Sequence, residues 1–548
     1  MVCVAWPYAN SDLHVGQIAG AYLPADIYAR YNRMIGNNTL MVSGSDAHGT
    51  PVTVRAEQEN ITPEDVFQRY HLSFLKTFDE IGIVFDNFTS TNTDNHKEVV
   101  QDVFTKLLNK KLLYLKDQEL LYDTQKKRFL PDRYVEGTCP KKGCGYENAR
   151  GDQCDKCGST LDALELINPR SKLSNTTPVS KTSAHFFLKL SDFNEALTTW
   201  ISEKNYWRPA VKNFSIGQLK EGLKDRAVTR DINWGIDIPL DGYENKKIYV
   251  WFEAVLGYLS ASIEYTKNIN NKINWEIFWK DPKSKTIYFQ GKDNVPFHAL
   301  ILPAILIGYE GLNLPYNIPA NQYVMMGGDK ASSSRNTTVW MPDYLEKLPA
   351  DSLRYYLTCI MPETSDSEFD WNNFVSRNND ELSAKWGNLV QRVISFAKKN
   401  MNNTIPDSSH TNSESIQLKE FIQKSFKKSA ISIEKVELRN ALSIIIATAQ
   451  ETNRYLDKKE PWKTIKYDQE NAEESIFCAL EAIYNIAIMF YPFVPFSSKK
   501  VLSALGNDTE YYKIDWSYQN IQKKLIIGDI DILFEKFDIE TIIEKFQD

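Results

Sequence analysis

The sequence predicts an α/β protein with three parts: a parallel-sheet domain, an insertion that carries a cysteine cluster, and an α-helical bundle. Short apolar runs alternate with helical patterns over residues 2–110 and again from Ile248, which is the rhythm of βαβ units. Four of the seven cysteines fall between Cys139 and Cys157. Beyond residue 376 the apolar residues recur at helix spacing almost to the end, which indicates packed helices.

The composition excludes several classes of protein. The 548 residues are 42% hydrophobic and 25% charged, as in globular proteins of several domains. No apolar run approaches the ~18 residues of a membrane helix, and the amino terminus lacks the basic start of a signal peptide. We therefore expect a cytoplasmic protein that meets no membrane. The net charge of −7 argues against general coating of nucleic acid, although a local basic face is compatible with it.

The first candidate site segment, PYANSDLHVGQ, runs from Pro7 to Gln17 behind a short apolar strand. His14 opens a helical stretch, and a helix amino terminus offers free N–H groups to an anion. Gly16 allows a nucleotide to approach closely, and His14 and Gln17 can both donate to a phosphate. The simpler interpretation is a histidine that only caps the helix.

The second candidate segment is the loop Lys330-Ala331-Ser332-Ser333-Ser334, which also follows a predicted strand. It provides one ammonium group, three hydroxyls and backbone amides that can clamp a polyphosphate together with the first segment. Two strands that run into such turns are typical of a site at the carboxyl ends of sheet strands. Taken alone, this loop is better explained as a solvated turn.

Three further segments bring polar or aromatic groups to predicted strand ends. Asp46 follows the strand Leu40–Gly44 and is equally well explained as a ligand for a substrate amine or as a helix cap. The segments Val250–Tyr258 and Gly291–His298 carry aromatics, a carboxylate and a histidine. Such aromatic stripes are more often core than pocket, but the polar groups within these two favour a pocket.

The pattern Cys139-x4-Cys144-x9-Cys154-x2-Cys157 is the strongest local signal. Two close pairs of thiolates suit tetrahedral Zn²⁺, and a complete set of four leaves no open position for catalysis. We therefore predict one structural zinc ion. The unequal first spacing keeps open the alternative of a degenerate knuckle that has lost its metal.

The helical part contains two candidate contacts for nucleic acid. Asn388 and Arg392 are four residues apart and share one helix face. Trp462 follows Pro461 between lysines, where it can stack on an unpaired base. From the local sequence alone, a tryptophan wedged between helices is the better explanation.

Together and in this order, the segments resemble the methionyl-tRNA synthetases, most closely the archaeal type, within the class I aminoacyl-tRNA synthetases. The resemblance runs from residue 2 to about residue 500. It is carried by Ala5–Asn10, His14–Gln17, Leu23–Asp26, Ser43–Pro51, Gly151–Cys154, Thr229–Asp231, Tyr249–Tyr258, Gly291–His298, Lys330–Ser334, Asn388–Arg392 and Pro461–Trp462.

The resemblance implies a methionine–tRNA ligase with a Rossmann-type catalytic domain, a zinc-knuckle insertion and an α-helical anticodon-binding domain. The two catalytic halves are expected at residues 1–115 and 229–322, around a connective insertion at 116–228. A stem-contact segment with the KASSS loop is expected at 323–375, and the anticodon-binding domain at 376–548. The expected substrates are ATP with Mg²⁺, L-methionine and tRNA(Met), including the initiator, and the expected state is a monomer.

By position, the resemblance also implies a role for individual residues. The methionine-binding group is Tyr8, Asp46, Trp251, Ala254, Tyr258 and His298, with Asp46 on the α-amino group. The ATP-binding group is His14, Gly16, Gln17, Arg230, Gly291, Asp293, Lys330 and Ser333, of which His14, Gln17, Lys330 and Ser333 are the catalytic candidates. The zinc ligands are Cys139, Cys144, Cys154 and Cys157, and the anticodon-binding group is Asn388, Arg392 and Trp462.

The chain departs from the family pattern at three places. Gln17 stands where the family usually has a second histidine, and Ser333 where it usually has a second lysine. Ser171 and Ser174 stand where some relatives have a second cysteine pair, so one zinc ion is expected.

Three other functions compete with this interpretation. A synthetase for another aliphatic amino acid is disfavoured because the insertion leaves little room for an editing domain. A small nucleotidyltransferase has no use for a long helical bundle. An RNA-binding zinc-ribbon protein that has lost its activity is supported mainly by Ser333.

Overall fold

The computed structural model describes residues 1–131, 134–151, 154, 156–157, 161–268, 274–327, 329–330 and 338–546, with the backbone alone at 329, 330 and 511. Its centre is a five-stranded sheet in which every neighbouring pair is parallel. The spatial order is Ala320–Asn321, Ile287–Gly291, Val2–Val4, Met41–Ser45 and Asn87–Ser90. The first strand is thus central and later strands add on both sides of it, as in the predicted Rossmann-type fold.

Helices connect these strands and cover both faces of the sheet. Their amino termini follow local capping rules: Thr62 caps one helix by accepting from the Asp65 amide at 3.1 Å, and Pro63 occupies the first helical position. The helices are Val15–Gln17, which continues through the π-helical Ile18–Tyr22 into Leu23–Met34, then Thr50–Glu59, Pro63–Ile81, Asp94–Asn109, Val250–Glu253, Gly257–Asn268, Glu276–Trp279, and Phe297–Ile301 continuing into Leu302–Tyr309.

The described residues of the insertion form two antiparallel sheets and two α-helices. Its longest strands, Leu113–Asp123 and Val179–Leu188, pair over their whole length from Leu113 with Leu188 to Tyr122 with Val179. Arg226–Ala227 and Arg128–Phe129 complete that sheet, Val135–Thr138 pairs with Ala149–Arg150 and Ile167–Ser171, and the helices are Asn194–Ser202 and Pro209–Glu221. The short pair Thr229–Arg230 and Lys247–Ile248 leads back to the parallel sheet.

In the described part of the next segment, a small mixed sheet and three α-helices follow the parallel sheet. The strand Val324–Met326 pairs in parallel with Ser367–Glu368 and antiparallel with Asp329–Lys330. The helices are Met341–Lys347, Ala350–Cys359 and Trp371–Arg377.

The remaining chain is mostly α-helical up to Ala504, as the spacing of its apolar residues predicts, whereas residues 505–538 are mostly irregular and lead to one last short helix. Leu382, Trp386 and Leu389 are fully buried in its core. The helices are Asn378–Gly387, Asn388–Asn400, Ser413–Glu434, Leu438–Lys459, Pro461–Thr464, Gln469–Phe490, Pro495–Ala504 and Ile539–Lys545. No helix in the described ranges is long and apolar enough to cross a bilayer.

A buried arginine on the helix Ala350–Cys359 contacts both the sheet domain and the helical bundle. Arg354 is 0% exposed and donates to the Asp26 carboxylate at 2.7 Å. It also donates to the carbonyl oxygens of Phe493 at 2.8 Å and Gly82 at 3.2 Å. Because a buried charge is tolerated only when it is paired and hydrogen-bonded, this contact fixes the bundle against the sheet domain.

Candidate active site at the carboxyl edge of the parallel sheet

The order of the strands creates a crevice beside the first strand. Val2–Val4 and Ile287–Gly291 are neighbours, and the chain continues from them to opposite sides of the sheet. Ligands of open α/β sheets bind where the strand order reverses in this way, outside the carboxyl ends of the strands. The segments that begin at Ala5 and Gly291 both leave their strands at this edge.

His14 is the amino-terminal cap of the helical stretch that follows. Its Nδ1 accepts from the Gly16 amide at 3.2 Å, and its own amide donates to Gln17 Oε1 at 3.0 Å. The Val15 amide donates to the Val339 carbonyl at 3.1 Å, and the Met341 amide to the Leu13 carbonyl at 2.8 Å. His14 therefore caps the helix, and its role toward a phosphate stays a prediction. These contacts also bring the first segment beside the chain that follows the KASSS loop.

The KASSS loop itself is only partly described. Lys330 lies on a two-residue strand, where it pairs with Met325. Ser333 lies outside the described residues, so its catalytic assignment stays a prediction, as does the role of the Lys330 side chain.

Four residues predicted for methionine form two hydrogen-bonded pairs. Trp251 Nε1 donates to the Tyr8 hydroxyl at 3.2 Å. Tyr258 donates to His298 Nε2 at 2.7 Å, because His298 Nδ1 carries the proton that it gives to the Asn294 carbonyl at 2.9 Å. Burial lowers the pKa of His298 to about 4, so His298 is a neutral acceptor that fixes the Tyr258 ring.

Asp46 pairs with Tyr8 in an isolated β-bridge and is buried. The Asp46 amide donates to the Pro7 carbonyl at 2.8 Å and the Ala9 amide to the Asp46 carbonyl at 3.0 Å. The helix that follows has Gly49 as its cap, so Asp46 is not the cap of that helix. Burial, and then the charge of Glu253, raise the pKa of Asp46 to about 8.

Two glycines make room for a tryptophan that the sequence patterns did not single out. A Cβ atom built on Gly44 would lie 2.5 Å from the Trp6 ring, and one built on Gly257 also 2.5 Å. Trp6 lies edge-on to Tyr258 with ring centroids 6.4 Å apart. Its neighbours are more than 35 residues away along the chain, so no local periodicity predicts the contact.

The remaining residues predicted to bind substrates make separate contacts, and their roles stay predictions. Gly291 ends its strand, and a Cβ atom there would meet nothing within 4 Å. Asp293 accepts a short hydrogen bond from the Tyr323 hydroxyl. The Arg230 guanidinium lies over Tyr249, 3.9 Å from its ring centroid. Ala254 begins a 3₁₀ turn.

The four cysteines converge as predicted. Their sulfurs lie within 4.8 Å of one another, with 3.9 Å between Cys139 and Cys157 and 3.7 Å between Cys144 and Cys154. Tetrahedral Zn–S bonds of about 2.3 Å place sulfurs roughly 3.8 Å apart, whereas a disulfide needs about 2 Å. The arrangement therefore fits a four-thiolate metal site.

The serines that replace a second cysteine pair have another partner. Ser171 and Ser174 both donate to Asp123 Oδ2, at 2.5 and 2.6 Å. Within the described ranges, the four-cysteine group is the one cluster with ligand atoms close enough to hold a metal.

The predicted anticodon residues lie together at one end of the bundle. The Arg392 guanidinium stands 5.0 Å from the Trp462 ring centroid and donates to Asn453 Oδ1 at 3.0 Å. Asn388 is exposed one turn earlier on the same helix. Behind Trp462 lies a cavity of about 250 Å³ lined by Arg392, Val393, Phe396, Leu456, Trp462 and Ile476.

Comparison with known proteins assigns the class. A family model described as "tRNA synthetases class I (M)" matches residues 1–394, so the sheet domain is that of a class I tRNA synthetase. A second model, described as "Anticodon binding domain of methionyl tRNA ligase", matches residues 405–547. The chain belongs to the methionyl-tRNA synthetase family, whose members are methionine–tRNA ligases.

Relatives of nearly full length support this assignment. The chain is 48% identical over 546 residues to a methionine–tRNA ligase of Dehalococcoides mccartyi, which covers 99% of the chain and 97% of the relative. It is 49% identical over 506 residues to that of Thermomicrobium roseum, covering 92% and 86%. It is 42% identical over 549 residues to that of Thermoplasma acidophilum, covering 100% and 98%.

A solved structure shares the fold. It is the methionyl-tRNA synthetase of Mycobacterium tuberculosis bound by methionyl-adenylate, at a TM-score of 0.81 and 20% identity, covering 97% of this chain and 99% of that one. The predicted fold class and family are thus confirmed. The archaeal subtype stays a prediction.

Proposed function

We propose that the protein activates L-methionine with ATP and transfers it to the 3′ end of tRNA(Met). In the first step a methionine carboxylate oxygen bonds to the α-phosphorus of ATP while the bond to the β-phosphate breaks, which gives methionyl-adenylate and pyrophosphate. In the second step a ribose hydroxyl of the terminal adenosine attacks the activated carbonyl, loses its proton and displaces AMP. Such chemistry depends mainly on positioning and charge stabilisation.

The observation that supports this proposal is the contact between the first signature segment and the chain that follows the KASSS loop. The Val15 amide and the Leu13 carbonyl bond to Val339 and Met341, so the His14 turn lies beside the chain that leaves the KASSS loop. His14, Gly16, Gln17, Lys330 and Ser333 can then surround the phosphates of one ATP. We expect Mg²⁺ to accompany ATP and to share the neutralisation of pyrophosphate with Lys330.

We assign binding roles to the other predicted residues. An aromatic pocket suits a thioether, which favours contacts with rings. We assign Tyr8, Asp46, Trp251, Ala254, Tyr258 and His298 to methionine, Arg230, Gly291 and Asp293 to ATP, and Asn388, Arg392 and Trp462 to the anticodon. We assign Zn²⁺ to Cys139, Cys144, Cys154 and Cys157, where it would hold the knuckle together.

The proposal also covers the compartment, the oligomeric state, the tRNA substrates and the domain boundaries. We propose a cytoplasmic monomer that acts on both initiator and elongator tRNA(Met). We also keep the predicted boundaries, with catalytic halves at 1–115 and 229–322, the insertion at 116–228, the stem-contact segment at 323–375 and the anticodon-binding domain at 376–548.

Amino-acid-dependent ATP–pyrophosphate exchange across the twenty amino acids tests the proposal. Exchange driven best by methionine is the expected result. Exchange driven better by leucine or valine would overturn the substrate assignment, and no exchange with any amino acid would favour a relative that has lost its activity.

A further inference from the structure

Two carboxylates and two imidazoles form a buried cluster behind the pocket assigned to methionine. Asp46 and Glu253 are 3% and 0% exposed, and His48 and His96 are 6% and 1% exposed. Asp46 and His48 follow a strand, whereas Glu253 and His96 lie on two different helices. Glu253, His48 and His96 have no part in the reaction as assigned above.

His48 is the cationic member of this cluster. Its Nδ1 donates to both oxygens of the Glu253 carboxylate, at 3.0 and 3.1 Å. Burial opposes a charge on His48, but Glu253 outweighs burial, with help from Asp46 and the Asn92 side chain, and raises the pKa of His48. Glu253 and His48 therefore form an ion pair that is removed from solvent.

His96 adds no positive charge to the cluster. Ser260 donates its hydroxyl proton to the Gly257 carbonyl at 3.0 Å, so its oxygen accepts from His96 Nδ1 at 2.8 Å. His96 Nε2 is then the unprotonated nitrogen, 3.9 Å from the Glu253 carboxylate, and it has no hydrogen-bond partner among the described residues. Burial, with the nearby charge of His48, lowers the pKa of His96 to about 3.

The cluster thus holds two carboxylates against one cation. Asp46 Oδ1 accepts from the His48 amide at 3.1 Å, so the backbone that carries the cation also orients Asp46. Both contacts of His48 Nδ1 go to Glu253, and at Asp46 the charge of Glu253 outweighs that of His48. Together with burial it raises the pKa of Asp46 to about 8, so near neutral pH the empty protein holds a proton on Asp46. A carboxyl group in such a buried place favours a cationic partner, and a cation that enters replaces this proton.

We propose that Glu253 is a positioning residue that acts through His48 and keeps Asp46 available to the α-ammonium group of the substrate. In the empty site near neutral pH a proton on Asp46 supplies the second positive charge, and the ammonium group of an α-amino acid replaces that proton. An analogue without the amine gives the buried Asp46 carboxyl group no hydrogen-bond partner, which a site of this kind rejects. The inference rests on the proposed activation of methionine. It adds a reason, beyond Asp46 alone, why the site discriminates amino acids from analogues that lack the amine.

Glu253→Gln tests the charge without changing the shape of the side chain. In the full-length protein, assayed at pH 8.5 so that a proton competes little for wild-type Asp46, we expect the methionine KM in pyrophosphate exchange to rise roughly ten-fold or more, because His48 is then free to neutralise Asp46. The ATP KM should stay within about two-fold, since the phosphates bind elsewhere in the crevice. Glu264→Gln is the matched control, because it neutralises a carboxylate on the next helix that bonds instead to Asn87 at 3.1 Å.

A second replacement separates charge from structure. Removing the cation as well, with Glu253→Gln and His48→Gln together, should restore most of the lost methionine affinity. A double variant as poor as the single one, or poorer, would overturn the inference and make the ion pair purely structural.

Equilibrium binding provides a measurement that does not depend on catalysis or on the double variant. Methioninol, which keeps the amine, should bind the Glu253→Gln protein more weakly, whereas 4-(methylthio)butanoate, which lacks it, should bind unchanged. Equal weakening of both, or of neither, would also overturn the inference. If the wild-type protein shows no methionine-dependent exchange, the proposed function fails instead.

Discussion

Replacing Trp462 with alanine separates two roles that the structure allows for this side chain. The ring is half-buried against the bundle core, and its other face lies 5.0 Å from the Arg392 guanidinium. As a platform for a base it contributes about 1–3 kcal/mol of stacking. A base that stacks on Trp462 replaces the cation–π contact with Arg392, which costs about 0.5–1 kcal/mol.

The net contribution to tRNA binding is therefore about 1–2 kcal/mol, which corresponds to roughly ten-fold in kcat/KM for charging. We expect Trp462→Ala to lower charging at limiting tRNA by that factor and to leave pyrophosphate exchange within about two-fold, because exchange takes place at the sheet edge. Trp462→Phe keeps a flat ring over the cavity and should retain most of the charging activity.

A thermal unfolding curve of each variant completes the test. Loss of a half-buried ring destabilises the bundle by about 2 kcal/mol, roughly half the cost at a fully buried site. If exchange and charging fell by the same factor, Trp462 would be a wedge between helices and the assignment to the anticodon would be wrong.

Three further predictions concern the other sites. Asp46→Asn should abolish most methionine-dependent exchange yet leave the free protein at least as stable as wild type at pH 8. Because the folded pKa of Asp46 is about 8, the folded wild type binds more protons than the unfolded chain between the ordinary carboxyl pKa and pH 8, so its stability falls as pH rises through this window. Unfolding scans at pH 6 and pH 8 would disprove this if wild type gained stability relative to the variant. Cys154→Ser should lower the zinc content from one ion per chain and loosen the insertion, as metal analysis and limited proteolysis would reveal; a wild-type protein with no zinc, or with two ions, would contradict the site. Lys330→Ala should lower adenylate formation roughly ten-fold or more, and Ser333→Ala only slightly, because a charge-assisted hydrogen bond is about twice as strong as a neutral one. If Ser333→Ala had the larger defect in pyrophosphate exchange, the assignment of the essential interaction to Lys330 would be wrong.

Local features of this chain were predictable because their physical causes are local. The four cysteines lie within one short segment, so their spacing alone brings the sulfurs within reach of one ion. The helix after Thr62 begins where its cap, proline and acidic residues predict. The buried positions of Leu382, Trp386 and Leu389 follow from helical periodicity. The alternation of strands and helices was likewise sufficient to predict a parallel sheet.

The details of the site depended on which faces of the helices and strands pack against one another. The periodicity of the sequence does not predict these long-range contacts. Glu253 reaches His48 across 205 positions of the chain, and Arg354 reaches Asp26 across 328. Trp6 lies between two glycines that only the folded sheet brings together. The sequence by itself determined the family and the four cysteines whose sulfurs lie close enough together to hold a metal ion. The tertiary structure alone decided which buried charges are paired, because pairing depends on distance in space and on exclusion of water.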